Sequence, residues 1–268
     1  MLKDITLGQY FPGNSIAHKL DPRTKILLVT LYIIALFSAK GWMGYAVMAV
    51  TLAACVKVSH VGLRALVRGL KPLVFIIAFT GILNMFFTPD THYLWEWGIL
   101  RVSVKGIENA LFMVIRIMLL VMGTFLMTYT TSPIRLTDGL ESLLNPLKKI
   151  HVPVHELAMM MAIALRFTPT LIEETDKIMS AQKARGADFD SGNIFQKAKA
   201  LVPILVPLFI SAFRRADELA TAMECRCYHG GEGRTKLHVL KYQRRDYVAL
   251  AGGVVILALV VVLRRLGT

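Results

Sequence analysis

Arg185 and Arg226 each stand where a long helix is about to break, in Ala184-Arg185-Gly186 and in Cys225-Arg226-Cys227. An arginine at such a place suits one kind of chemistry. A helix C-terminus carries partial negative charge and favours a cation. The planar guanidinium can also hold a carboxylate through two parallel hydrogen bonds. Groups of this kind grip a partner and do not turn over a substrate. The competing reading for both is a solvated arginine at a helix end.

The other chemistry-bearing residues point to no reaction centre. Cys225 and Cys227 are too close in sequence to bridge easily, and Cys55 lies in an apolar run. Three cysteines without a second pair read as reduced thiols rather than as a metal or redox site. His151 and His155 flank Pro153 and read as a helix-entry surface. Glu173, Glu174 and Asp176 read as a solvated helix face, and Met159-Met-Met161 as packing. No glycine is followed by lysine, so the chain has no phosphate-binding P-loop. A zinc helix of the His-Glu-x-x-His type and a Gly-x-Ser-x-Gly elbow are also absent.

Composition says what must position the arginines. Of 268 residues, 55% are hydrophobic and only 18% charged, against about 25% in soluble chains. Disorder, collagen and a disulfide scaffold are excluded, and an integral membrane protein is favoured. The net charge is +13. With such apolarity, that balance fits an anionic membrane face better than nucleic acid. Residues 133–246 hold 17 basic and 13 acidic residues, whereas the rest hold 14 and 5. The first is the balance of a water-exposed helical surface, the second that of apolar spans with basic flanks. The first 25 residues lack the apolar core of a cleavable signal and contain Asp4, Pro12, Asp21 and Pro22.

Apolar runs predict five spans, at 26–39, 41–56, 72–89, 106–131 and 247–263. The first is short for a span of about 17–25 residues, and Lys25 can extend it by reaching outward to the interface. Lys19, Arg23 and Lys25 precede the first span, and Lys57, Arg64, Arg68 and Lys71 separate the second from the third. By the positive-inside rule the N-terminus is then cytoplasmic. The aromatic loop 90–97 lies outside and the block after the fourth span lies inside. Arg264 and Arg265 alone run against this count. Glu108 and Arg116 in the fourth span read as an interfacial pair or as packing against neighbours, and Thr80 and Asn84 are weakly polar. The spans therefore hold no convergent substrate site or proton relay. The expected organisation is a four-span membrane domain over 1–132, a cytoplasmic block with two long helices over 133–246, and a last span within 247–268.

That block predicts helices over 154–185 and 194–227, separated by the turn cluster 186–193 and closed by glycines at 230, 231 and 233. Pro169 can kink the first. Pro203 and Pro207 are tolerable in the second if packing partners re-satisfy the backbone.

Several stretches resemble one family, the transmembrane T component of energy-coupling factor importers. Leu20-Asp-Pro-Arg-Thr-Lys25, with Asp21, Pro22, Arg23 and Lys25, looks like its N-terminal signature. Leu165-Arg-Phe-Thr-Pro-Thr170, with Arg166 and Pro169, looks like part of its first coupling helix. The segment 215–224, with Arg215, Asp217, Glu218 and Glu224, looks like part of its second. Ala184-Arg185-Gly186 matches the family's Ala-Arg-Gly tripeptide, and Cys225-Arg226-Cys227 occupies the second such place with the arginine kept. The two arginines lie 41 residues apart. The likeness covers essentially the whole chain, and the order of its parts is more specific than any tripeptide.

The resemblance implies an all-α, multi-pass, non-catalytic subunit in the plasma membrane of a prokaryote. It implies as partners two ABC-type ATPase subunits, a homodimer or a heterodimer, and a small membrane S component that captures a vitamin or metal ion. ATP is then bound by those ATPases, and this chain carries no cofactor. Each terminal arginine enters a groove on one ATPase subunit. The rival expectation is an ordinary ABC importer permease. Its docking loop resembles Glu-Ala-Ala followed by a glycine, and Glu218-Leu-Ala-Thr-Ala-Met-Glu224 lacks that glycine. A membrane-bound enzyme would need an acid–base, nucleophile or metal constellation, and the sequence offers none.

Overall fold

Apolar runs bounded by Gly, Pro and polar breakers become helices wherever no water can satisfy the backbone, because a helix pairs its own amides. A computed structural model of the chain describes residues 10–88, 93–97, 100–187, 189, 194–230 and 239–266. Asp4, residues 89–92 of the aromatic loop, residues 188 and 190–193 of the turn cluster and residues 231–233 of the glycine break lie outside the described residues. Two compact units divide the chain, one formed by the described residues of 8–140 and 240–268, the other by 141–239.

The first unit holds α1 (Ile16–Lys19), α2 (Pro22–Ser38), α3 (Gly41–Ser59), α4 (Leu63–Leu70), α5 (Val74–Phe87), α6 (Val104–Thr130), most of α7 (Pro133–Leu144) and α10 (Arg244–Arg265). The helices α3, α6 and α10, and the stretch Leu63–Phe87, are long and apolar enough to cross a membrane. With 17 residues, α2 sits at the short limit for a span. The protein is thus an all-α polytopic membrane protein. A short antiparallel hairpin, β1 (Tyr93–Trp97) with β2 (Leu100–Ser103), joins α5 to α6 and pairs Glu96 with Arg101 and Trp97 with Leu100. The sequence predicts only an aromatic loop over 90–97. The basic stretch that separates the second and third apolar runs contains a helix, α4, with Arg64 and Arg68 exposed and Leu66 and Leu70 buried. Leucine at four-residue spacing makes that connector amphipathic.

The core of this unit gathers Ala35 and Leu36 from α2, Tyr45, Met48, Leu52 and Val56 from α3, Leu66 from α4, Leu119 and Tyr129 from α6 and Val260 from α10. The α3 positions recur every three or four residues and form one face. Small residues let the backbones close up, as is common between membrane helices. A Cβ on Gly106 would lie 2.7 Å from the Met85 carbonyl oxygen, and one on Gly123 would lie 2.5 Å from the Tyr32 ring. The Tyr32 hydroxyl donates to the Leu119 carbonyl at 3.0 Å.

Arg116, deep in α6, is met by aromatics. Its Nε donates to the Tyr45 hydroxyl at 2.9 Å, and its guanidinium lies 5.7 Å from both the Phe37 and Tyr45 ring centres. This is the packing alternative for Arg116, and it satisfies the cation inside the bundle without a proton path. Asn84 and Thr80 bond within their own helix, to the carbonyls of Thr80 and Ile76.

The second unit is built on α8 (Val154–Ala184) and α9 (Ile194–Cys225). Both match the two long helices predicted from sequence within two residues at either end. His155 enters α8 and pairs its Nδ1 with Glu141 Oε1 at 3.1 Å.

Candidate functional site

The two arginine tripeptides end their helices in the same way. Arg185 is the C-cap of α8, and its amide donates to the Ala181 and Gln182 carbonyls. Gly186 follows at φ +89°, and the amide of Ala187 returns to the Gln182 carbonyl at 3.0 Å. At the end of α9, the Arg226 amide donates to the Met223 carbonyl. Cys227 follows at φ +54°, and the amide of Tyr228 returns to the Met223 carbonyl at 3.0 Å. Each end is thus an arginine, then a left-handed residue, then a bond reaching five residues back, the Schellman closure of a helix. Ala184, Arg185, Gly186, Cys225, Arg226 and Cys227 are all exposed.

The departure from Ala-Arg-Gly at the second end has a physical price and no geometric consequence. Nothing lies within 4 Å of a Cβ on Gly186, so glycine serves the left-handed backbone there and not close packing. Cys227 adopts the same backbone with a Cβ, at a cost of about 1–2 kcal/mol. Cys227→Gly is therefore expected to stabilise the chain by up to about 1 kcal/mol, since the freer unfolded glycine offsets part of the relief. Thermal unfolding of parent and variant in one detergent checks this, and a lower midpoint for the variant would contradict it.

Among the described residues, three side-chain links tie the pair of helices together. Glu174 of α8 accepts from the hydroxyl of Ser211 and, at 3.1 Å, from Nη2 of Arg215, both on α9. The Ser211 hydrogen bond first, and then the Arg215 guanidinium, hold the Glu174 carboxyl below the usual carboxylate range. Glu174 is thus half-buried and paired across to α9, unlike a free carboxylate on a solvated face. The second link answers the proline problem in α9. Pro207 has no amide to give the Pro203 carbonyl, and Gln182 Nε2 donates to that carbonyl at 3.3 Å instead. The third sets the Tyr228 hydroxyl on Met159 Sδ at 3.0 Å.

An apolar groove of about 300 Å³ runs between the two helices, with Ile163, Phe167 and Leu171 on one wall and Ala216, Leu219 and Met223 on the other. The middle of α9 exposes Leu205, Val206, Phe209, Ile210 and Phe213. Arg166, Pro169, Asp217, Glu218 and Glu224 are exposed along α8 and α9. Arg215 turns to Glu174 rather than to its sequence neighbours.

Asp21, Pro22, Arg23 and Lys25 lie together in the first unit, at the start of α2. Asp21 is the N-cap, its carboxylate accepting from the Arg23 amide at 2.9 Å, and Pro22 takes the first helical position, which needs no amide. Lys25 does not reach outward. It is buried, and its Nζ donates to the Thr130 carbonyl at 2.8 Å and to the Thr131 hydroxyl at 3.0 Å. The end of α6 offers it those oxygens, which an interfacial lysine would otherwise seek in water. Sequence reasoning missed Asp246, which is 1% exposed. Its Oδ1 accepts from the Asp21 amide at 2.9 Å and its Oδ2 from the Gln243 amide at 2.8 Å. The local signal was an acidic residue in the first turn of α10.

In sequence, the chain matches known proteins over nearly its whole length. Residues 13–237 match the family model described as Cobalt transport protein (CbiQ). The chain is 52% identical over 263 residues to the energy-coupling factor transporter transmembrane protein EcfT of Ruminiclostridium cellulolyticum, covering 98% of each chain. It is 56% identical over 250 residues to the protein of that name from Clostridium kluyveri, covering 93% of each. With the Bacillus subtilis protein it shares 46% over 264 residues, 98% of this chain and 100% of the other. With its apolar spans and its pair of arginine-ended helices, the chain belongs to this CbiQ family, as a transmembrane component of an energy-coupling factor transporter.

Proposed function

We propose that this chain is the non-catalytic scaffold through which two ABC-type ATPase subunits drive a small membrane S component in the uptake of a vitamin or metal ion. The matching ends of α8 and α9 carry this reading: two exposed arginines on one backbone geometry suit two equivalent sockets, as an ATPase dimer provides. Each guanidinium pairs with carboxylate or carbonyl groups of one ATPase subunit. Helices of 31 and 32 residues are stiff over roughly 45 Å and serve as levers. The links through Glu174 and Gln182 make the levers move together. The apolar groove and the exposed apolar face of α9 take the S component. ATP is held by the ATPases alone, and the substrate by the S component. The N-terminus and residues 133–246 face the cytoplasm of a prokaryotic cell, with the chain in its plasma membrane.

Purification of the tagged chain from its own host in mild detergent is expected to bring down two ATPase chains, alike or different, and one separate small membrane protein. The chain stripped of those partners is expected to bind no ATP. Sub-micromolar binding of cobalt(II) or of a vitamin by the stripped chain, measured by calorimetry, would favour the ordinary permease instead.

A further inference from the structure

The chain leaves the first unit after Leu140 and re-enters it at Leu240. Both crossings are tied to a single turn of backbone, Asp21–Lys25. On the outgoing side, Gly139 of α7 is packed against that turn. A Cβ there would lie 3.0 Å from Pro22 Cβ, 3.2 Å from the Pro22 carbonyl carbon and 3.3 Å from the Arg23 nitrogen. Lys25 holds Thr130 and Thr131, the two residues that lead from α6 towards α7. On the returning side, Arg23 Nη2 donates to the carbonyl of Leu240 itself at 3.1 Å, and the guanidinium lies 5.1 Å from the Tyr242 ring centre. Asp246 then takes the Asp21 amide.

We infer that the turn Asp21–Lys25 is a clamp that holds both crossings of the chain fixed to the membrane helices, so that force arriving from the lever helices reaches α2 and α10 without being absorbed in the connectors. The inference rests on the coupling function proposed above. Its physical basis is that a connector transmits displacement only if its ends are tied to a close-packed body rather than left to rotate about their own dihedrals. Here the hydrogen-bonded ties are buried or part-buried, and the ties converge from α6, α7, the return segment and α10 on one helical N-terminus. Pro22 adds a fixed φ at the point where Gly139 presses. Arg23 and Gly139 are therefore positioning residues. Neither is asked to touch an ATPase, a substrate or the S component.

The test uses the whole complex in proteoliposomes. Uptake is read with labelled cobalt(II) and a set of labelled water-soluble vitamins, the parent selecting the one it carries, beside ATP hydrolysis and the amounts of ATPase and S component retained. Arg23→Gln loosens the return crossing and Gly139→Ala wedges the outgoing one. Each is expected to keep assembly and hydrolysis near the parent level while uptake per ATP falls at least about tenfold, the scale of one charge-assisted hydrogen bond. Arg64→Gln, on the exposed side of α4, is expected to match the parent. The clamp is overturned if either variant keeps the parent's uptake per ATP. It is equally overturned if uptake falls only in proportion to the chain present in the membrane, which would make the turn a folding element. A parent that retains no ATPase removes the coupling function, and the clamp with it.

Discussion

Arg185→Ala combined with Arg226→Ala is expected to abolish coupled uptake, and to do more than either change alone. Truncating one partner of a desolvated charged contact typically costs about 2–5 kcal/mol, or roughly thirty-fold to several thousand-fold in affinity. Because two linked contacts hold one dimer by effective concentration, losing one leaves a weakened but tethered complex, and losing both removes the tether. Both arginines sit at the same C-cap position, each followed by a left-handed residue, so the two single variants are expected to resemble each other. Lysine should rescue poorly at either place, since it lacks the planar fork. Retention of ATPase on the tagged chain, together with uptake in proteoliposomes, measures this for both single variants, the double variant and Arg185→Lys. A double variant that assembles and transports like the parent would end the coupling role given to these residues.

Asp246→Ala is expected to have the largest effect on stability. The carboxylate is 1% exposed and takes two backbone amides from positions far apart in the chain, Asp21 and Gln243. Alanine leaves the buried Asp21 amide unmet, at about 1–3 kcal/mol, and takes the capping-box acceptor from the part-buried Gln243 amide, at about 0.5–2 kcal/mol, against a net stability of about 5–15 kcal/mol for a typical domain. Asparagine keeps one acceptor oxygen but turns an amide donor towards the other N–H, so Asp246→Asn should fall between. Thermal unfolding in one detergent should order the midpoints as parent, asparagine, alanine. An alanine variant melting within about 2 °C of the parent would show that the carboxylate does not hold the two helix starts.

The contrast between these two sites shows what the sequence carries. The arginines were legible because their signal is local: a long apolar-faced periodicity, a cation, then a break. The same locality made α8 and α9 legible to within two residues. The spans were legible because a membrane leaves an apolar run of sufficient length no structure but a helix.

Other elements escaped because nothing local specifies them. The helix Pro133–Leu144 carries Arg135, Asp138 and Glu141 among its apolar residues and follows a polar break, so it read as part of a mixed-charge block. Arg64 and Arg68 of α4 read as part of a basic connection between two spans. Lys25 had the local look of an interfacial lysine, and the direction of its side chain was set by carbonyl and hydroxyl groups at the far end of α6. Glu174 looked like one member of an acidic face until α9 supplied Ser211 and Arg215.

By itself, then, the sequence determined the helical character, the places of the apolar runs, the two long helices and the arginines that end them, because hydrophobic runs, caps and breakers act over one or two turns. Only the tertiary structure decided that Asp21 and Asp246, 225 residues apart, meet, that Gln182 supplies the donor Pro207 lacks, and that Cys227 takes the backbone a glycine takes at 186. Those outcomes depend on which buried donor lies beside which buried acceptor once the helices have packed. A single polar side chain has many possible partners along a chain of this length, and packing alone selects one of them.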